Sequence, residues 1–136
     1  TTDDPKGIMA SVMEGLSLGC GDAVIGLNPV DDSVESVARI LKSFDEFKNK
    51  WEVPTQICVL AHVTTQMEAC EKQGAPIDLL FQSIAGSQKG NEAFGLTAAM
   101  LDEGYQMMNG GRPSDNADQF HRYRPERYVF RDWTGF

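Results

Sequence analysis

The sequence predicts an α/β protein with parallel strands, and three observations lead to this fold class. Short apolar runs without polar alternation occupy 23–27, 57–63 and 79–81, as in strands that are buried on both faces. Between them, apolar residues recur three or four positions apart, which is typical of amphipathic helices. Strict alternation of strand and helix favours βαβ units and therefore a parallel sheet.

The first elements lie before residue 30. Residues 1–7 have no apolar period and are predicted to be a frayed lead-in, whereas the apolar spacing over 8–18 predicts a helix. The strand at 23–27 ends at Asn28, because Pro29 has no N–H to donate to a neighbouring strand.

The second helix has the clearest pattern in the chain. Asp32 as N-cap with Glu35 three residues later resembles a capping box, and Lys48 and Lys50 suit the negative end of the helix dipole. Pro54 prevents continuation of the helix. One stripe contains the apolar residues Val34, Val37, Ile40, Leu41, Phe44 and Phe47.

The remaining elements repeat the alternation. A second strand is predicted at 57–63, followed by a helix for which Thr65 and Glu68 form a possible capping box. A third strand at 79–81 precedes a last helix at 91–108. Three strands are too few for a complete fold, since a flavodoxin-like domain needs about five and a barrel needs eight.

The chain divides by composition into two parts. Residues 1–109 contain the predicted strands and helices, and they look like a part of something larger. Residues 110–136 have no clear period, with five arginines and no lysine, and are predicted to form an irregular tail. The bland interpretation of this segment is a solvated basic tail.

Charge and cysteine content exclude several classes of function. A formal net charge of −8 over 136 residues argues against a nucleic-acid partner. No apolar run approaches the roughly 20 residues of a membrane span, and no signal peptide is recognisable. Cys20, Cys58 and Cys70 form no metal-spaced cluster, so no metal site is predicted, and an odd number of cysteines favours a reduced, cytoplasmic protein.

Polar side chains follow each of the three predicted strands. Because the carboxyl ends of parallel strands meet at one edge, where α/β proteins bind ligands, we expect these side chains to share a face. The set comprises Asn28, His62, Thr64, Thr65, Gln82 and Ser83.

Each of these residues also has a structural interpretation. Asn28 before a proline is equally suited to capping a turn. His62 is better explained as a satisfied core histidine than as a metal ligand, and Thr64 and Thr65 as helix caps. The amide of Gln82 needs partners for its C=O and its NH₂, which an amide-rich ligand or loop backbone would supply equally well.

The unbroken segment Cys-Val-Leu-Ala-His-Val-Thr-Thr-Gln at 58–66 is the most specific motif in the chain. With this segment, residues from about 8 to 103 resemble the large subunit of ethanolamine ammonia-lyase. The other matching segments are 14–17, 21–26, 28–30, 54–56, 74–76, 81–84 and 99–103.

This resemblance implies a fold and an activity. The family's large subunit is a (β/α)₈ TIM barrel, so this chain would be a partial barrel of about three consecutive parallel βα units. The family uses adenosylcobalamin to deaminate ethanolamine to acetaldehyde and ammonia, and it requires a small subunit in a hetero-oligomer. The parent enzyme would work in the cytoplasm or in a bacterial microcompartment, and we expect this chain to be inactive by itself.

The resemblance also implies roles for individual residues. Asn28 matches the family's substrate-contacting asparagine, and Pro29 and Gln82 match cobalamin-contacting positions. Ser83 is a weaker candidate for contact with the adenosyl group. No catalytic residue and no metal ligand is assigned. The alternatives are a truncated fragment that binds no ligand, or a piece of an unrelated TIM-barrel enzyme.

The tail departs from the family pattern. A segment Tyr-Phe-Glu-Thr-Gly-Gln-Gly that carries a family glutamate should fall in 110–136 and is absent. One choice of codons for residues 124–136, translated from one nucleotide later, encodes Gly-Pro-Asn-Val-Met-Tyr-Phe-Glu-Thr-Gly-Gln-Gly. Our hypothesis is that the tail is a frameshift product, so its arginines carry no function.

Overall fold

The computed structural model describes residues 3–20 and 24–109 in full and residues 129–132 as backbone. Helices and strands alternate, which agrees with the predicted α/β class. Among the described residues, no helix is both long and apolar enough to cross a bilayer. The elements are α1 (Pro5–Ser17), β1 (Ile25–Leu27), α2 (Val34–Lys50), β2 (Ile57–Val59), α3 (Val63–Gln73), β3 (Phe81–Ile84), α4 (Gln88–Ala93), α5 (Ala98–Met108) and β4 (Val129–Asp132).

The described strands pair in parallel, as predicted, but they form two sheets where one was expected. β1 pairs with β2, with Ile25 opposite Ile57, and β3 pairs with β4. Before β3 begins, the N–H of Leu79 donates to the carbonyl of Ile57 at 3.3 Å. The predicted strand 79–81 therefore runs beside β2. Its regular ladder begins only at Phe81 and is formed with β4.

The core lies between α2, β2 and α3. The predicted apolar stripe of α2 is confirmed, since Val37, Ile40, Leu41 and Phe44 are at most 1% exposed. The N-cap of α2 is Ser33 and not Asp32, because the Ser33 hydroxyl accepts a hydrogen bond from the N–H of Ser36.

Two further helix boundaries differ from the predictions. The strand predicted at 57–63 ends at Val59, and α3 begins at Val63 with His62 as its N-cap in place of Thr65. The helix predicted at 91–108 is divided into α4 and α5. The division follows Gly95, whose φ of 72° is left-handed and interrupts a helix.

The tail contains one regular segment that the sequence analysis did not predict. Val129–Asp132 form β4 and lie in register with β3, with Phe81 opposite Val129. Aromatic and β-branched residues at 128–130 favour an extended backbone, and an open strand edge offers them unpaired main-chain groups. The rest of 110–136 lies outside the described residues.

A buried side chain joins the segments on either side of the gap between β2 and β3. Gln66 in α3 is fully buried, and its Nε2 donates to the carbonyl oxygens of Ala61 and Phe81, both at 2.6 Å. Its Oε1 accepts from the N–H of Phe81 at 3.3 Å. The amide thus supplies main-chain partners to the exit of β2 and the start of β3, a role that the sequence pattern did not indicate.

Replacing Gln66 with leucine should destabilise the chain by about 2–3 kcal/mol, because buried main-chain groups would lose their partners. Urea unfolding measured by circular dichroism tests this expectation. Gln73→Leu, at an exposed position in the last turn of the same helix, should change the stability by less than about 0.5 kcal/mol. Equal effects of the two substitutions would contradict the role given to Gln66.

Candidate functional site

Asn28 lies directly after β1, at the carboxyl end where ligand-binding residues were predicted. Its side chain is exposed, and Pro29 beside it is half-buried. The loop after β2 starts next to this position, since the N–H of Leu60 donates to the carbonyl of Leu27 at 2.8 Å. Within the described residues, the Asn28 amide makes no hydrogen bond, so its donors and its acceptor are available to a ligand.

A cavity of about 600 Å³ lies between α1 and β1, and Asn28 is among the residues that line it. The polar side chains that line it include Asp3, Asp4 and Ser11. Its apolar walls are formed by Ile8, Val12, Leu16, Val24, Ile25, Leu27 and Phe44. Such an apolar space with few polar groups suits burial of a nonpolar surface, while the Asn28 amide offers hydrogen bonds.

Gln82 is the second residue of β3, so it does not follow the end of the strand as predicted. Its Oε1 accepts from the N–H of Val63 at 2.7 Å, and its Nε2 donates to the carbonyl of Ser83 at 2.9 Å. Main-chain groups of α3 and β3, and not of a loop, therefore supply partners for both ends of the amide. One lone pair and one N–H of this amide remain for another group.

His62 is the N-cap of α3, the helix whose first N–H donates to Gln82. Its Nδ1 accepts from the N–H of Thr64 at 3.3 Å and lies 2.8 Å from the Thr64 hydroxyl. The ring is half-buried, and its Nε2 is buried with no hydrogen-bond partner in the described part of the chain. The expectation of a satisfied core histidine is thus wrong for one of the two ring nitrogens.

The first turn of α3 brings several predicted site residues together. Gln82 accepts from the N–H of Val63, and His62 accepts from the N–H of Thr64, so both side chains lie at this helix end. Ser83 is exposed on β3 beside Gln82, whereas Thr65 does not cap the helix. The described residues contain no group of three or more His, Cys, Asp or Glu arranged to hold a metal ion.

Asp3 is a residue near Asn28 that sequence analysis missed, because it lies in the predicted lead-in. Its carboxylate accepts from the N–H groups of Val30 at 3.0 Å and of Asp31 at 2.8 Å. These two hydrogen bonds, that of Val30 first, lower the pKa of Asp3. The contact ties the chain before α1 to the loop after Pro29, although no local pattern connects positions so far apart.

The buried cysteines are not candidates for nucleophilic chemistry. Burial raises the pKa of Cys58 to about 11 and that of Cys70 to about 12, so both remain thiols near neutral pH. This agrees with the interpretation of Cys58 as a small apolar residue. Cys20 is exposed and lines the cavity.

Comparison with known proteins identifies the family. Residues 1–123 match the family model described as ethanolamine ammonia lyase large subunit (EutB). The chain belongs to this family. It is 56% identical over 103 residues to the ethanolamine ammonia-lyase large subunits of Escherichia coli strain K12 and of Salmonella typhimurium strain LT2. These alignments cover 76% of the chain but only 22% of each relative.

Membership of the ethanolamine ammonia-lyase family removes one alternative, and the extent of the match shortens the segment that departs from the family. A piece of an unrelated barrel enzyme is excluded by the match. The match also includes 110–123, within the segment that we predicted to depart from the family. The residues beyond it are 124–136, which are those of the proposed frameshift string.

The hydrogen bonds of Asp3 should weaken as the pH falls through its lowered pKa. A depressed pKa means that the contact is present above the ordinary aspartate pKa and is lost only at more acidic pH. The amide chemical shifts of Val30 and Asp31 should therefore titrate with a midpoint below the ordinary value in an NMR pH series.

Asp3→Asn should abolish this shared titration. Asp32→Asn, at an exposed position two residues beyond Val30, is the matched control and should leave it in place. A midpoint at or above the ordinary aspartate value would refute the contact.

Proposed function

We propose that this chain is a piece of the large subunit of an adenosylcobalamin-dependent ethanolamine ammonia-lyase. The observation that carries the proposal is the 56% identity over 103 residues to large subunits of that name. The chain spans about a fifth of their length. It therefore supplies part of a binding edge, and the rest of the large subunit and a small subunit are needed for turnover.

The proposed fold of the parent is a (β/α)₈ barrel. Parallel pairing of β1 with β2, and the single main-chain bond from the lead-in of β3 back to β2, support consecutive strand–helix units of such a barrel. Open strand edges and an open cavity explain why the isolated chain is inactive, since such a piece does not exclude water from a reacting substrate. The parent works in the cytoplasm or in a bacterial microcompartment.

Asn28 is the proposed substrate contact. Its amide has no partner in the described structure and lies exposed after β1. The amide oxygen is suited to the ammonium of ethanolamine, and the amide N–H groups are suited to its hydroxyl. Asn28 would thereby orient the substrate for reaction.

Pro29 and Gln82 are the proposed cofactor contacts, with Ser83 beside Gln82 as a further candidate. After its two backbone hydrogen bonds, the Gln82 amide retains one lone pair and one N–H. These groups can bind the neutral amide side chains that surround the corrin ring. When bound, adenosylcobalamin supplies homolytic cobalt–carbon chemistry for the conversion of ethanolamine to acetaldehyde and ammonia. The residues of this chain would hold the cofactor, orient the substrate and shield the reacting atoms from water.

The activity is tested by grafting. The 103 aligned residues replace the matching span of the E. coli large subunit, and the chimera is assembled with the small subunit. Ammonia release should be retained in the chimera and absent from the isolated chain. Asn28→Ala in the chimera should lower kcat/KM about 10- to 100-fold through loss of hydrogen bonds to a charged substrate.

Asn49→Ala, at an exposed position on α2, is the control and should leave kcat/KM unchanged. A chimera that assembles and binds cobalamin but releases no ammonia would contradict the proposed activity. Turnover that is insensitive to Asn28→Ala would contradict the role of Asn28 alone.

The frameshift of the tail is proposed as well. The family match stops directly before residue 124, where the string that encodes the family's glutamate segment one nucleotide later begins. This boundary supports a shift of translation frame ahead of the string 124–136.

Sequencing the coding DNA for residues 104–136 and beyond tests the frameshift. We expect the frame one nucleotide later to encode the glutamate segment and to remain open. A closed or unrelated frame would mean that this tail is the genuine translation product and that the family's glutamate is absent.

A further inference from the structure

The unpartnered Nε2 of His62 is the polar atom that the proposed function leaves unexplained. Because Nδ1 accepts a hydrogen bond from the N–H of Thr64, the ring N–H is the one on Nε2. That N–H is buried and meets no acceptor within the described residues. Buried donors in folded proteins almost always have a partner, so this one requires an explanation.

The position of the ring indicates where the acceptor comes from. His62 follows β2 on the edge that contains Asn28, and it shares the first turn of α3 with Gln82, the proposed cofactor contact. The first turn of α3 contains no acidic residue that would accept this N–H. Such a ring N–H suits a carbonyl oxygen.

We propose that the Nε2–H of His62 donates a hydrogen bond to a side-chain amide oxygen of the bound cobalamin, which makes His62 a further cofactor-binding residue. This inference rests on the proposed function. His62 then has two separate tasks: Nδ1 caps α3, and Nε2 binds the ligand.

The two tasks are separable by substitution. Asparagine is a favourable N-cap whose amide oxygen replaces Nδ1, but it is too short to provide the donor at Nε2. Glutamine reaches further and restores a donor near Nε2, but it is a poorer cap. His62→Asn therefore removes the ligand contact, and His62→Gln removes the cap.

The experiment measures binding of hydroxocobalamin by equilibrium dialysis, with the chimera assembled with the small subunit. His62→Asn should raise the Kd about tenfold, and His62→Gln should keep it within about threefold. Urea unfolding of the 136-residue chain gives the second readout. There, His62→Asn should leave the midpoint unchanged or raise it, and His62→Gln should lower it.

The possible failures are distinguishable. If the chimera with His62 binds cobalamin and His62→Asn binds it equally well, the inference is overturned while the proposed function stands. A lowered urea midpoint for His62→Asn would overturn it too, because Nε2 would then have a protein partner. If the E. coli enzyme binds and the chimera with His62 does not, the proposed function fails and the inference fails with it.

Discussion

The fully buried amide of Gln66 is the constraint on which the arrangement of the other elements depends. Between β2 and β3 the described residues show one main-chain hydrogen bond in place of a regular ladder, and Gln66 supplies partners at the point where the two segments separate. By fixing Phe81 against Ala61, it also sets the position of Gln82, which follows directly. The proposed cofactor edge is therefore held by a side chain from α3 as well as by the sheet.

A second polar contact acts at the opposite end of β2. The carboxylate of Asp78 accepts from the Lys48 ammonium at 2.7 Å and from the N–H of Ile57 at 2.9 Å. It thereby joins the end of α2, the start of β2 and the segment that leads to β3. Because each terminus of this short strand is fixed by a side chain, its position depends on specific contacts more than on ladder length.

Sequence pattern predicted those features that depend on local periodicity. The stripe of α2, the buried run of β2 and the parallel class all follow from spacing along the chain. Contacts between distant positions left no such signal. Asp3 bonds a loop 27 and 28 residues away, and Gln66 bonds Phe81 at a separation of 15 residues. The predicted start of α3 was wrong for a related reason, because its N-cap is His62 and not Thr65.

The candidate site was predictable in composition but not in detail. Asn28 and Gln82 were identified by residue type and by resemblance, yet the backbone partners of Gln82 depend on how α3 meets β3. The unpaired nitrogen of His62 was missed because a histidine in an apolar run looks like an ordinary core residue. Its two nitrogens become distinguishable only when the cap at Thr64 is known.

The pairing of β4 with β3 has a consequence for how an open sheet edge is filled. Strand pairing uses N–H and C=O groups that every residue except proline presents, so an exposed edge selects weakly for sequence. An exposed edge can therefore be satisfied by an extended segment whose side chains were not selected for that position. Molecular chaperones and proteases would then encounter a sheet edge whose main-chain groups are already paired.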